Sequence, residues 1–342
     1  MTEILGFREF RQRVLDEGLC ASCGACVGAC PYVTAFKGRT VVIDPCPGER
    51  GSCFAYCPMT FFDPAPVSSM VFGTAPDASP LGFVKRVVSS RARDEGLRAV
   101  AQGGGTVTAL MLHALERKDI DCAVLTGPGE NDKYPQGVIA TSREEVLMCA
   151  GSRYVGAHSL AALREALHRG YQRIGIVGLP CQVRSVRKMA LYDIRQEHLR
   201  KRIVLVVGLF CTWAFSSREF VQFLAGRLHD QEPRRIHIPP PPANILEVET
   251  SGEVVRISLD ELRPLIQAAC RTCPDMTADF ADVSVGMFEG RFGWNTLIVR
   301  SETGLQLVES AVAQGIIEQE SFPAENLAYL REAAANKRKR AP

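Results

Sequence analysis

The chain holds 342 residues, with 40 lysines and arginines against 38 aspartates and glutamates, 46% hydrophobic residues and 13 cysteines. That length suggests two or three domains, the cysteine count is far above what a cytosolic enzyme without metal uses, and the one basic run, Lys337-Arg338-Lys339-Arg340, reads as a short solvated and mobile terminus. No nucleic-acid partner is expected, nor a membrane span: the longest apolar run, 203–215, is too short to cross a bilayer and contains Gly208, Cys211 and Thr212, so a cytoplasmic protein is expected.

An amphipathic segment over 7–19 leads into Cys20-Ala-Ser-Cys23-Gly-Ala-Cys26-Val-Gly-Ala-Cys30-Pro31. Thiolates at that spacing, closed by proline, form the ligand run of a bacterial ferredoxin. Soft thiolates on a tight loop can wrap an iron-sulfur cube, glycine and alanine let backbone N–H groups approach the sulfides, and the proline turns the chain away. Disulfides fit less well, because thiols two residues apart bridge poorly and no secretion signal precedes them. Zinc is the closer alternative, though its sites rarely use a fourth cysteine so near.

A second run, Cys46-Pro-Gly-Glu-Arg-Gly-Ser-Cys53-Phe-Ala-Tyr-Cys57-Pro58, is less regular: Arg50 stands where the pattern expects a cysteine, and Cys46 is one residue out of step. In two-cluster ferredoxins the proline-linked cysteine of each run ligates the other run's cluster. Cys57 is therefore expected to complete a 4Fe-4S cube with Cys20, Cys23 and Cys26. A second cube would take Cys30, Cys46 and Cys53, with one ligand unassigned.

The stretch 63–82 is rich in proline and small residues and suits an extended connector. Beyond it, Gln102-Gly103-Gly104-Gly105-Thr106 precedes a helical period over 106–116; bare amides and a helix N-terminus there suit a phosphate, with Thr106 or Thr108 adding a hydroxyl, although a plain loop and helix cap explains the same residues. Apolar runs at 123–125, 174–177 and 203–207 read as buried strands, and 159–168 and 217–228 as helices. Pro239-Pro240-Pro241-Pro242 interrupts this pattern, and 245–257 alternates about Ser251-Gly252 like a hairpin, so the sheet is expected to be mixed. The six histidines show no paired metal-ligand spacing.

Further thiols follow two of the strands, in Gly178-Leu-Pro-Cys181-Gln182 and Gly208-Leu-Phe-Cys211-Thr212, and a pair lies in Cys270-Arg-Thr-Cys273-Pro-Asp275. Parallel strands deliver their C-terminal ends to one sheet edge, so Cys181 and Cys211 can converge there. With Cys270 and Cys273 they make four thiolates, enough for a 4Fe-4S cluster or a structural zinc. Cys181 and Cys211 also read as plain buried small hydrophobes, as Cys122 and Cys149 do.

These motifs together resemble the beta-subunit family of coenzyme F420-reducing hydrogenases and F420-dependent formate dehydrogenases, whose relatives include flavin and iron-sulfur reductases. The resemblance covers nearly the whole chain and adds Ala281-Asp-Val-Ser-Val-Gly286 and Gly293-Trp-Asn-Thr-Leu-Ile-Val-Arg300 to the pieces above. It implies FAD held at Gly103, Gly104, Gly105, Thr106 and Thr108, where a side chain on Gly104 would push the cofactor phosphate away. It also implies a cluster beside the flavin on Cys181, Cys211, Cys270 and Cys273, and electron exchange with a partner of the hydrogenase, formate dehydrogenase or heterodisulfide-reductase type. The family commonly has aspartate where this chain has Met287, which puts the substrate in question.

The expected fold is mixed α/β. An N-terminal bacterial ferredoxin-like domain (1–62) and a connector (63–82) precede an α/β FAD- and iron-sulfur-binding domain with an added β-hairpin (83–325), and a C-terminal helix and basic tail (326–342) follow. The expected function is hydride exchange between coenzyme F420 and FAD, with single electrons passing through two or three 4Fe-4S clusters. A ferredoxin-dependent flavin reductase of another organic substrate, and a flavin-free relay with zinc on its C-terminal thiols, are the alternatives.

Overall fold

The computed structural model describes residues 3–129, 134–229, 231–239 and 243–341, so all but the first of the four consecutive prolines lie outside the described residues. Its strands are β1 (Val33–Phe36), β2 (Arg39–Val42), β3 (Arg86–Ala92), β4 (Cys122–Gly127), β5 (Gln136–Ala140), β6 (Ile174–Gly178), β7 (Ile203–Leu209), β8 (Arg235–His237), β9 (Ile245–Glu249), β10 (Val254–Ser258), β11 (Val283–Met287), β12 (Asn295–Val299) and β13 (Ile317–Ser321). Eight of them form one sheet in the order β13-β3-β12-β11-β7-β6-β4-β5. In its middle β4, β6, β7 and β11 run parallel. Such strands are covered on both faces, which is why they read as unbroken aliphatic runs. Antiparallel β5 closes one side, and β12, β3 and β13 extend the other.

The three expected strands and the helices Thr106–Glu116, Leu160–His168 and Ser217–Leu228 are all present. The expected hairpin is β9–β10, and β8 joins it in a separate three-stranded sheet. This small sheet packs Leu246, Val248 and Ile257 against Phe215, Phe220 and Leu224.

Three segments differ from the sequence expectation. The amphipathic segment expected over 7–19 is not one regular element: a single α-helical turn, Phe7–Phe10, is followed by the π-helical Arg11–Leu15. The connector is not extended throughout: Pro64–Phe72 is helical, because Asp63 accepts a hydrogen bond from the Ala65 amide at 3.0 Å, both prolines sit in a first turn that needs no amide, and Gly73 at φ +71° ends the helix. Phe72 then stacks on Phe83 with ring centroids 4.9 Å apart. The C-terminal helix, Ala324–Arg340, runs through the basic residues, and the tail is docked rather than solvated, with Lys337 buried and Arg338 bonded to Asp279 at 2.6 Å. Among the described residues no helix is long and apolar enough to cross a membrane.

The cysteine-rich section builds a hairpin from β1 and β2 and a short helix, Ser52–Tyr56. Phe7, Phe10, Val14, Val33 and Phe54 pack around Cys26, Cys53 and Cys57. Its inner face is shared with the main body, since Ala25, Ala29, Ala55 and Tyr56 pack with Leu160, Leu163, Val183 and Val186. Small side chains allow this close approach.

Arg300, directly after β12, is fully buried and ties three segments together. It donates to the Leu81 and Phe83 carbonyls at 2.6 and 2.8 Å, to Ser284 Oγ at 2.7 Å and to Thr277 Oγ1 at 2.8 Å. Arg300→Met would leave those groups dry and unpaired, and is expected to cost about 3–5 kcal/mol in guanidinium unfolding. An unchanged unfolding midpoint would show that the network is dispensable.

Candidate cofactor and electron-transfer site

The C-terminal ends of β4, β6, β7 and β11 open on a cavity of about 430 Å³, a size usual for cofactor sites. Val177 and Gly178 of β6, Leu209 and Phe210 at the end of β7, and Val285 to Met287 of β11 line it. Gly105, Thr106 and Thr108 of the glycine loop and following helix complete one wall. The N-cap residue of Thr106–Glu116 is Gly105, which has no side chain to cap the helix, so first-turn amides beyond Thr106 face a region where anions are favoured.

Gly103 and Gly105 hold φ of +70° and +73°, a conformation natural to glycine. Gly104 is constrained by the protein itself. A Cβ there would lie 2.7 Å from Asn295 Oδ1 and 3.0 Å from the Ser90 carbonyl, while its own carbonyl accepts from the Ala92 amide at 2.8 Å. Asn295 accepts from the Thr106 amide at 3.3 Å and donates to the Gly286 carbonyl at 3.1 Å, pinning the loop to β11. The Thr106 hydroxyl is buried on Ser90 Oγ at 3.0 Å. Thr106 therefore shapes the loop as well as lining the cavity, which Thr108 lines too.

Beside the cavity lies a second, smaller gap of about 30 Å³ lined by Cys181, Cys211, Cys270 and Cys273. Cys181 stands in the first turn of helix Pro180–Tyr192, where the positive end of the helix favours a thiolate. Gln182 organises that turn by accepting from the Leu179 amide at 2.8 Å and donating to the Ala157 carbonyl at 3.2 Å. Cys211 follows β7, and its amide bonds the Met276 carbonyl at 2.9 Å. The Ala214 amide points at Cys270 Sγ at 3.3 Å. Asp275 sets the loop after Cys273 by accepting from the Thr277 and Asp279 amides at 3.1 Å.

Burial pushes the Cys181 thiol well up, and the nearby Cys23, Cys273, Cys211 and Cys270 add to the rise. Burial likewise brings Cys211 to about 12, with the Lys337 ammonium pulling it back. Thiols crowded and buried in this way become thiolates together only with a compensating positive charge nearby, which a metal centre supplies, and Cys181 and Cys211 are raised accordingly. Among the described residues no three His, Cys, Asp or Glu side chains meet closely enough for a single ion. Four thiols around one gap suit a cube, in which each sulfur takes a different iron and the sulfurs stand farther apart than around one ion.

The N-terminal thiols form two further groups. Cys26 is raised by burial and then by Cys23, Cys20 and Cys57, and Cys57 by burial and then by Cys23. Cys53 is brought to about 12 by burial, followed by Cys30. Cys20, Cys23, Cys26 and Cys57 thus act on one another and Cys53 with Cys30 and Cys46, and the two sets adjoin, since Cys26 also feels Cys53; Cys122 and Cys149 lie apart, in β4 and at a helix end. Cys23 reaches Ser185 Oγ at 3.6 Å, and Cys20 touches Thr40 Oγ1 at 3.3 Å, which in turn bonds His158 at 3.0 Å. Lys188, on the same helix as Cys181, donates to the Cys57 carbonyl at 2.6 Å. Ala21 and Met59 of the cysteine-rich section line the gap around Cys181.

Lys188, Ser185, His158, Asn295 and Lys337 escape a reading of the sequence, because each stands far along the chain from the group it serves. Only Asn295 lies within a stretch that the motifs single out.

Since Gly104 packs against protein, Gly104→Val is expected to cost about 1–3 kcal/mol of stability by forcing the loop off β3, whatever ligand the loop holds. An unaltered melting curve would mean that the loop moves aside freely.

Two family models match, the N-terminal and the C-terminal models of the Coenzyme F420 hydrogenase/dehydrogenase beta subunit, the first over residues 87–164 and the second over 171–325. The coenzyme F420 hydrogenase subunit beta of Methanothermobacter thermautotrophicus is 31% identical over 70% of this chain and 85% of its own length. The coenzyme F420-dependent sulfite reductase of Methanocaldococcus jannaschii is 29% identical over 86% of this chain and 46% of its own length. A chain of the F420-reducing [NiFe] hydrogenase complex from Methanosarcina barkeri superposes with a TM-score of 0.72 at 30% identity, covering 78% of this chain and 93% of that one. With these matches falling on the sheet, the glycine loop and the central thiols alike, the chain belongs to the coenzyme F420 hydrogenase/dehydrogenase beta-subunit family and is an oxidoreductase subunit of that type.

Proposed function

We propose that this subunit exchanges a hydride between coenzyme F420 and FAD in the 430 Å³ cavity and passes single electrons through 4Fe-4S clusters to a partner redox enzyme. One observation carries the reading: the cavity and the four-thiol gap share a wall made of Ala157, Leu179, Gln182, Cys211 and Ala214. A two-electron site and a one-electron site with a common wall are what such an exchange requires. FAD, when bound, supplies the step between hydride and single electrons.

The chain's own residues orient and insulate. The glycine loop and the amides opening Thr106–Glu116 would hold the pyrophosphate, and Asn295 keeps that loop on β11. Cys181, Cys211, Cys270 and Cys273 would hold one cube, with Ala21 and Met59 keeping water from it. Cys20, Cys23, Cys26 and Cys57 would hold the next, and Cys30, Cys46 and Cys53 three corners of another. The partner would be of the hydrogenase, formate dehydrogenase or heterodisulfide-reductase type.

Met287 favours a second reading. It lines the cavity directly after Gly286, so an apolar thioether stands where the family commonly has a carboxylate, which suits a flavin reductase of another organic substrate.

Anaerobically purified full-length protein supplied with FAD and reduced coenzyme F420 is expected to reduce a viologen dye. Full flavin occupancy without dye reduction would favour the second reading, and absence of flavin binding would refute both. Cys273→Ser is expected to remove about one cube's worth of iron and to leave the N-terminal signals in the electron paramagnetic resonance spectrum unchanged. Retention of all the iron would remove the central cluster from the scheme.

A further inference from the structure

The matched family region ends at residue 325, yet the helix beyond it reaches the central thiols. Lys337, in the last turn of Ala324–Arg340, is 4% exposed and lines the same gap as Cys181, Cys211, Cys270 and Cys273. Its ammonium donates to the Cys211 carbonyl at 2.6 Å, its hydrogen-bond partner among the described residues. The next residue, Arg338, takes the acidic partner instead, bonding Asp279 Oδ2 at 2.6 Å and the Ala78 carbonyl at 3.3 Å. Ala334 is buried one turn earlier. The helix end is thus fastened on both sides of Lys337, and the ammonium is held against the thiols.

A buried ammonium facing a carbonyl, with no carboxylate bonded to it, is costly unless negative charge lies close by. Four thiolates around an iron-sulfur cube are that charge. We propose that Lys337 is a positioning residue for the central cluster, a fixed positive charge on the C-terminal helix that raises the cluster's reduction potential and so makes it the better acceptor for electrons leaving the cavity. The proposal rests on the reading that Cys181, Cys211, Cys270 and Cys273 hold a 4Fe-4S cube. Reduction adds one negative charge to that cube, and a cation in a dry, low-dielectric site stabilises the reduced form more than the oxidised one. Lys188 stands to Cys57 in the same relation, its ammonium donating to that cysteine's carbonyl at 2.6 Å. Lys188 belongs to the matched region, whereas Lys337 lies on the C-terminal helix beyond it, so its contribution can be removed without touching the sheet.

The test is a potentiometric titration of the full-length, anaerobically purified protein followed by electron paramagnetic resonance, the central signal being the one absent from Cys273→Ser. Lys337→Met is expected to keep its iron and to shift the central midpoint downward. At a fixed ambient potential its oxidised-to-reduced ratio should rise about tenfold, equivalent to about 59 mV for a one-electron couple. The N-terminal midpoints should stay where they are. An unshifted central midpoint with full iron overturns the proposal. Should Lys337→Met lose the central iron, Lys337→Arg decides: a retained cluster with the original midpoint supports a role for charge, and loss of iron there too makes the residue one of packing and overturns it. If Cys273→Ser keeps all its iron, the cluster assignment itself fails, a result distinct from either.

Discussion

Helix Pro180–Tyr192 presents a thiol in its first turn and a buried ammonium two turns later, and the cysteine-rich section is fastened to the sheet through the length between them. Lys188 donates to the Cys57 carbonyl, to Thr60 Oγ1 and to the Phe61 carbonyl at 2.6 to 2.8 Å, satisfying all three of its protons inside the protein. Burial still brings its ammonium down to about 8, so the site tolerates the charge only because those acceptors are fixed in place. Ser185, between the two, donates to the Tyr56 carbonyl at 2.8 Å. One rigid element thereby sets how far the central thiols stand from the N-terminal ones.

The same logic explains the small residues around the thiols. Gly24, at φ +86°, lies against His158, where a Cβ would come within 2.6 Å of the carbonyl, and the Leu160 amide donates to the Cys23 carbonyl at 3.0 Å. A bulkier loop would hold the N-terminal thiols off the body. On the cavity side, Phe210 crosses Gly286 so closely that a Cβ there would meet its ring at 2.0 Å. Close backbone approach is what allows a cavity and a thiol gap to share a wall. In the proposed scheme, electron transfer between the two sites would benefit from that proximity.

Much of this is legible in the sequence where a single local rule operates. Thiol spacing makes the two N-terminal runs stand out, and in the fold Cys57 lies within electrostatic reach of Cys20, Cys23 and Cys26. Parallel strands β4, β6 and β7 show as aliphatic runs because both faces are covered. The outer strands are silent: β3 and β13 mix serine, arginine and glutamate with few apolar residues, and they are held by antiparallel pairing to segments far away. Proline-rich 63–82 looks like a connector because composition does not reveal that two of its four prolines, Pro64 and Pro66, fall in a first helical turn. The basic tail looks solvated because nothing local distinguishes Lys337 from Lys339, and only the tertiary docking of one helical face does. Gly104 reads as a ligand contact, whereas its neighbours Asn295 and Ser90 constrain it first.

The central claim is that the cavity, the central thiols and the N-terminal thiols form one continuous electron path joined through Pro180–Tyr192. Cys23 raises the Cys181 thiol alongside Cys273, Cys211 and Cys270, which puts the two sets within interaction range. The most direct measurement is the electron paramagnetic resonance spectrum of the fully reduced full-length protein, in which two paramagnetic cubes at such a separation should interact magnetically. Signals split or broadened beyond the sum of isolated clusters are expected, with faster spin relaxation. A spectrum that is the simple sum of non-interacting clusters would contradict the claim.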